Sequence, residues 1–513
     1  MKNKFYITCA IPYVNAAPHI GHALEFVQGD VIARYHRLLG EETTLLSGGD
    51  ENALKNVQAA EKADIPVQQF IDENNVKFLQ LTKALGCQFD IWQKGSDTQH
   101  HFPASQKLWE LCDKAGDIYK KAYEGLYCVG CETFYEPEEL NEQGECLEHP
   151  GKKLEIVKEE NYFFRLSKYQ TQIIDLITSN SLAITPDSRR NEVLSFLKQP
   201  LMDISISRSN ERAKNWGVPV PGDDTQRIYV WFDALNIYQS GVGFGWDDKK
   251  YKTWWPADVH VIGKGISRFH AVYWPAFLLS ARLPTPKALF VHGYFTVNGQ
   301  KMSKTLGNVI DPIELINKYG SDALRYYFLR EIPSTADGDF SERRFKEVYN
   351  ADLANGLGNL VSRVAKLCES IDQNYTIKSM HTIFNRPALL KAFPELHIGF
   401  RDYEIKYENA FARFAFNDAL AALWEEIRDL NLEIDSVKPW EYEKKPERLN
   451  DIKKFLFSLN DEEPKVKILS AVVRIKNIAM YLMPFVPSTA KNILKQFEGP
   501  TITSEKPLFP RLT

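Results

Sequence analysis

The sequence predicts an α/β fold, a Rossmann-like parallel sheet that is split by an insertion and followed by an all-α bundle. Three observations carry this. The apolar run Phe5-Tyr-Ile-Thr-Cys-Ala-Ile11 has the β-branched and aromatic content of a strand buried on both faces, and Pro12 stops it. Leu24, Val27, Val31, Tyr35 and Leu38 then recur at helical spacing, with Gly40 where a left-handed cap would end the helix. Far downstream, Asp258-Val-His-Val-Ile-Gly263 and Lys287-Ala-Leu-Phe-Val-His-Gly293 repeat the strand-then-turn pattern, so the sheet resumes.

The first strand–helix junction holds Ala10-Ile-Pro-Tyr-Val-Asn-Ala-Ala-Pro-His19-Ile-Gly21-His22. His19 and His22 fall three apart in the first helical turn, where free backbone N–H groups and the helix dipole favour phosphate. Imidazoles there can donate to phosphate oxygens as charge develops. Two solvated polar residues at a helix start fit the pattern equally well. Thr44-Leu-Leu-Ser-Gly-Gly-Asp50 reads as a second strand ending in a carboxylate, placed either for the ammonium of an amino acid or as a helix cap. From Ala53 to about Ala122 the pattern is helical.

Cys128-x2-Cys131 followed by Cys146-x2-His149 has the spacing of a tetrahedral structural zinc site. All four positions are filled by protein, which disfavours a catalytic ion. This marks the insertion, and Arg227-Ile-Tyr-Val-Trp231-Phe-Asp-Ala234 reads as a strand of the resumed sheet. Trp231, Tyr238, Phe269, His270 and Trp274 form an aromatic group that ordinary core packing explains without a ligand. Lys301-Met-Ser303-Lys304-Thr305 follows as a basic turn suited to phosphate. Beyond about Tyr349 long amphipathic helices are expected, including one across Tyr407–Leu432.

The chain has 513 residues, 44% apolar and 25% charged, which is a globular composition with room for several cores. A net charge of −4 neither requires nor excludes nucleic acid. No apolar run reaches membrane-spanning length and Met1-Lys-Asn-Lys leads straight into the first strand, so a cytoplasmic location with no membrane partner is expected. The seven cysteines are then expected to be reduced.

His19-Ile-Gly-His22 with Lys301-Met-Ser-Lys304-Thr resembles the two signature motifs of class I aminoacyl-tRNA synthetases, and the surrounding sequence resembles the methionyl-tRNA synthetase family in particular. The resemblance implies a ligase that converts L-methionine and Mg2+·ATP to methionyl-adenylate and charges tRNA(Met). It implies that His19, Gly21, His22, Lys301, Ser303 and Lys304 hold ATP, with the two histidines and two lysines catalytic. It places methionine among Ala10, Ile11, Tyr13, Asp50, Trp231, Ala234, Tyr238, Ile266, Phe269, His270 and Trp274. One structural Zn2+ would sit on Cys128, Cys131, Cys146 and His149, and the anticodon would be read by Asn359, Arg363, Pro439 and Trp440. For Arg363 and Trp440 a solvated helix charge and a buried bundle residue fit the sequence as well.

The implied domains are a catalytic half at 1–121, a zinc-bearing connective insertion at 122–221 and the second catalytic half at 222–298. A lysine-motif and stem-contact segment follows at 299–348, then an α-helical anticodon-binding domain at 349–513. The chain leaves no room for an appended oligomerisation domain, so a monomer is expected. Departures from the family pattern are Asn52-Ala53 where His-Gly is frequent, and Gly265 where an acidic residue usually follows the lysine. Within the enzyme class the rival is a synthetase for another amino acid; outside it, a catalytically silent tRNA-binding relative.

Overall fold

A computed structural model of the chain describes residues 3–128, 130, 133–135, 137–148, 151, 153–302, 308–369, 396–437, 463–499 and 501–512. They form two compact units, 1–294 with 309–313, and 295–308 with 314–513.

The first unit is built on a parallel sheet. Its elements begin with β1 (Lys4–Cys9), α1 (Ile20–Leu38), β2 (Glu42–Gly49), α2 (Leu54–Ala63), α3 (Val67–Ala84) and β3 (Ile91–Lys94). The strand order is β3, β2, β1, Val259–Gly263, Ala288–His292 and Ala183–Thr185, every neighbouring pair parallel. All of β1 after Lys4 is buried, as its unbroken apolar run requires. The early strands β2 and β3 lie on one side of β1 and the later strands on the other, so a crevice opens beyond the C-terminal ends of β1 and Val259–Gly263, where open α/β sheets bind ligands. Gly40 has φ +84°, the left-handed stop expected after α1.

Several expectations are corrected. Trp231-Phe-Asp-Ala234 is not strand: Asp223–Ile228 belongs to a separate antiparallel sheet with Pro219–Val220 and Ser207–Ser209, and Val230–Ser240 is a helix. Every residue of that helix is buried, so it shows no polar face, and a continuous apolar run does not by itself separate buried helix from buried strand. The stretch 53–122 holds strand β3 and the start of strand Ile118–Cys128 as well as helices. The return to the parallel sheet comes at Ala183–Thr185, inside the segment expected to be wholly insertion. Within that segment Thr133–Tyr135, Ile118–Cys128, Glu155–Phe164 and Ile204–Ser205 form an antiparallel sheet.

In the second unit Phe295–Val297 pairs with Gln300–Lys301 and with Gly338–Phe340. Helices follow, and the single helix expected over Tyr407–Leu432 is two, Leu396–Phe411 and Phe416–Val437, parted where Phe414 takes φ 56°. Arg325, fully buried, donates from Nε to the Phe485 carbonyl and from Nη2 to that of Pro484, both at 2.7 Å. These carbonyls lie in the turn that follows helix Glu463–Leu482. Arg325→Met would strip two buried acceptors of their donor, and the urea midpoint should report a loss of about 2 kcal/mol. An unchanged midpoint would show that the clamp contributes nothing.

Candidate active site

A cavity of about 460 Å³ opens at the crevice between β1 and strand Val259–Gly263. One end is set by the start of α1. His19 is the N-cap, with extended backbone, and its Nδ1 accepts from the Gly21 N–H at 3.1 Å. His22 Nδ1 in turn accepts from the His19 N–H at 3.2 Å, closing a capping box. Both rings therefore spend Nδ1 on the helix start, which leaves the ring proton on Nε2 as a donor. The rings lie 4.0 Å apart, and His22 packs edge-on to Phe78. Burial, with His19 beside it, pushes the His22 pKa well below its usual range, so the ring is a neutral donor at neutral pH.

The other end is aromatic. Trp231 stacks on Phe269 with centroids 3.7 Å apart, and Tyr13 meets the Trp231 edge at 6.3 Å. His270 lies on a π-helical turn, Phe269–Tyr273. Its Nδ1–H donates to the Ile266 carbonyl at 3.0 Å and its Nε2 accepts from the Tyr238 hydroxyl at 2.7 Å. Burial lowers its pKa to about 4, in keeping with the neutral ring this bonding requires.

The cavity gathers Ala10, Ile11, Tyr13, His19, His22, Trp231, Ala234, Tyr238, Ile266, Phe269 and His270 along its walls. Gly21 contributes the N–H that orients His19. Asp50 and Trp274 are not among the lining residues. Asp50, 3% exposed, follows β2, donates its N–H to the Pro12 carbonyl at 2.9 Å and pairs with Tyr13 in an isolated parallel bridge. Trp274 is fully buried, edge-on to Trp255. Lys301 belongs to the second unit, on a strand paired with Phe295–Val297, while Ser303 and Lys304 lie outside the described residues.

Other residues of the site carry no local sequence signal. Glu25, one turn beyond His22, accepts from the Ala10 N–H at 2.8 Å and meets His292 Nε2 at 2.9 Å, joining α1 to the ends of two strands. Lys55 caps the Tyr13 ring at 3.0 Å and donates to the Gly130 carbonyl. Asp233, on the helix below Trp231, is almost fully buried and accepts from His101 Nε2, Ser105 Oγ and Asn52 Nδ2 at 2.7–2.8 Å. The departure at Asn52 thus has a partner: its amide satisfies a buried carboxylate. The contacts of Glu25 with His292 and of Asp233 with Ser105, His101 and Asn52 join residues 128 to 267 positions apart, which no local pattern announces.

Of the expected zinc ligands, Cys128 and Cys146 are buried with Sγ atoms 3.2 Å apart, too far for a disulfide. Two sulfurs sharing a tetrahedral ion lie about 3.8 Å apart, so the pair fits one with a small adjustment. Cys131 and His149 lie outside the described residues, as do Pro439 and Trp440. Among the described residues no cluster of three metal-ligating side chains occurs, and no helix is long and apolar enough to cross a membrane. In the second unit Asn359 is exposed and Arg363 pairs with Asp435.

A family profile described as tRNA synthetases class I (M) matches residues 5–365. A methionine–tRNA ligase of Nostoc sp. is 41% identical over 503 residues, covering 96% of this chain and 90% of that one. The methionine–tRNA ligase of Brucella suis biovar 1 is 37% identical, covering 99% and 98%. Mycobacterium tuberculosis methionyl-tRNA synthetase in complex with methionyl-adenylate superposes with a TM-score of 0.86 and 33% identity over the full length of both chains. A histidine pair capping the first helix, an aromatic cavity at the sheet's switch point and likeness along nearly the whole sequence converge on one conclusion: the chain belongs to the methionyl-tRNA synthetases, the class I (M) family.

Proposed function

We propose that the protein activates L-methionine with ATP to methionyl-adenylate, releasing pyrophosphate, and transfers methionine to the 3′ end of tRNA(Met). The observation that carries this is a single cavity with two Nε2–H imidazoles at one end and a neutral aromatic pocket at the other. In the first step a methionine carboxylate oxygen bonds to the α-phosphorus as the bond to pyrophosphate breaks. No proton need move, so orientation and stabilisation of charge on the phosphate oxygens are what the protein must supply. His19 and His22 are the donors for that charge. Lys301, Ser303 and Lys304 are assigned to the phosphates of Mg·ATP by their match to the family motif. The thioether is assigned to the cavity wall formed by Trp231, Phe269, Tyr13 and His270, since a polarizable sulfur packs well against ring edges. Asp50 is assigned to the ammonium group.

Asn359, Arg363, Pro439 and Trp440 are assigned to the anticodon, where unstacked bases are read by stacking and edge hydrogen bonds. Cys128, Cys131, Cys146 and His149 would hold one zinc ion, whose contribution is to fold the surrounding loop. A monomeric, cytoplasmic enzyme with the domain division given above completes the reading.

The test is ATP–pyrophosphate exchange with each of the twenty amino acids in turn. Methionine alone should support rapid exchange. Exchange driven by cysteine or a branched aliphatic residue would select another synthetase specificity, and no exchange with any would select the silent tRNA-binding relative.

A further inference from the structure

The helix Val230–Ser240 is buried along its whole length, and its two sides meet different surroundings. Trp231, Ala234, Leu235 and Tyr238, at helical spacing, line the cavity. Asp233 and Ser240 instead meet the helix His101–Lys114. His101 Nε2 and Ser105 Oγ reach Asp233 Oδ1 at 2.8 and 2.7 Å, and His101 Nδ1 meets the Ser240 hydroxyl at 2.8 Å, so one imidazole brackets two turns of the Trp231 helix from behind. The other carboxylate oxygen, Asp233 Oδ2, accepts from Asn52 Nδ2 at 2.7 Å. That amide also donates to the Gly95 carbonyl at 2.8 Å. A carboxylate and a carbonyl can only accept, so both N–H bonds of Asn52 are committed and the amide's orientation is fixed.

Asn52 belongs to the segment that holds the opposite wall of the cavity. The Asp50 N–H donates to the Pro12 carbonyl at 2.9 Å, Asp50 pairs with Tyr13 in the isolated bridge, and Ser47 Oγ donates to the Ala10 carbonyl at 3.0 Å. Ala10, Pro12 and Tyr13 all line the cavity. Where the two walls approach, Tyr13 lies edge-on to Trp231 with centroids 6.3 Å apart. Behind that approach the walls are joined by the Asn52–Asp233 hydrogen bond. Asp233 is 1% exposed, so water does not compete for this bond and its charge strengthens it.

We infer that the Asn52–Asp233 hydrogen bond sets the separation of the Tyr13 and Trp231 walls, which makes Asn52 and Asp233 positioning residues for side-chain specificity. The inference rests on the function proposed above. Neither residue lines the cavity, and each acts through the wall it holds. With the bond in place the gap is fixed for one side chain. Without it the two segments shift independently, methionine is held less well and a longer side chain is admitted.

The test is a cycle of Asn52→Ala, Asp233→Asn and the double variant in pyrophosphate exchange driven by methionine or by ethionine, its S-ethyl analogue. Asp233→Asn keeps the shape and an acceptor for His101 and Ser105 but turns an amide toward Asn52, so it breaks the same bond and carries the test even where Asn52→Ala does not fold. Each single variant should raise the KM for methionine about fivefold and leave the KM for ATP within about twofold. The ratio of kcat/KM for ethionine to that for methionine should rise about fivefold, within the roughly 10–200-fold that one methylene is worth in a fitted pocket. The double variant should match the singles, because both changes remove one bond. An unchanged ethionine-to-methionine ratio in the folded variants, equal rises in both KM values, or multiplying effects in the double variant would overturn the inference while leaving wild-type exchange intact. Absence of methionine-dependent exchange in the unaltered protein would instead overturn the function itself.

Discussion

Methionyl-adenylate formation should fall by about 10²–10³-fold in His22→Ala, the loss typical of removing one preorganised donor from a charge-developing centre. The geometry gives the reason. His22 Nδ1 is committed to the His19 N–H, its low pKa keeps the ring neutral, and Nε2–H is therefore present whenever ATP arrives. An imidazole that had to choose a tautomer or lose a proton would be available only part of the time. Because the donor acts on the phosphate, the KM for methionine should change little. Removing the ring also opens the capping box, which costs about 1 kcal/mol of helix stability, so far-ultraviolet dichroism must accompany the kinetics. Single-turnover adenylate formation is the decisive measurement. Retention of more than about a tenth of the rate in a folded His22→Ala protein would remove His22 from the chemistry.

Between about pH 7 and pH 5 the two buried histidines His260 and His270 should together remove about 4 kcal/mol of stability, and the buried His22 ring, also held below its usual range, adds to the loss. In the unfolded chain both titrate near 6.5. Folding buries His270 and lowers it to about 4, and it holds His260 well below 6.5 by burial and the nearby His270 ring. His260 is further enclosed by Thr8, whose hydroxyl meets its Nδ1 at 2.6 Å, and by the Tyr238 ring. Below 6.5 the unfolded chain takes up protons that the folded chain refuses, so stability present above that pH is lost as pH falls, at about 1.4 kcal/mol per pH unit for each group. Urea midpoints at the two pH values measure the sum, and His260→Gln should reduce the difference by about 2 kcal/mol. Equal midpoints at both pH values in the unaltered protein would mean that these rings titrate freely in the folded state.

The parts of the fold that were legible in sequence are those where local pattern and burial agree. β1, α1 and the two strands at 259–263 and 288–292 emerge from their apolar runs within a residue or two at each end, because a strand buried on both faces has no polar position to confuse the reading. The helix bearing Trp231 reads as strand for the same reason: buried all round, it has no amphipathic period. Short strands such as Ile91–Lys94 and Ala183–Thr185 carry too few residues to show a period at all, and pairing with a neighbour is what makes them strands.

The sequence by itself determined the family, the histidine motif at the head of α1, and that Tyr13, Trp231, Tyr238, Phe269 and His270, though not Trp274, gather round the cavity, because each is written in neighbouring residues or in a motif of fixed spacing. Only the tertiary structure decided that His19 and His22 present Nε2–H, that Asn52 serves Asp233, and that Glu25 binds two strand ends. Those facts depend on atoms brought within hydrogen-bond reach by folding, across separations that no local periodicity encodes.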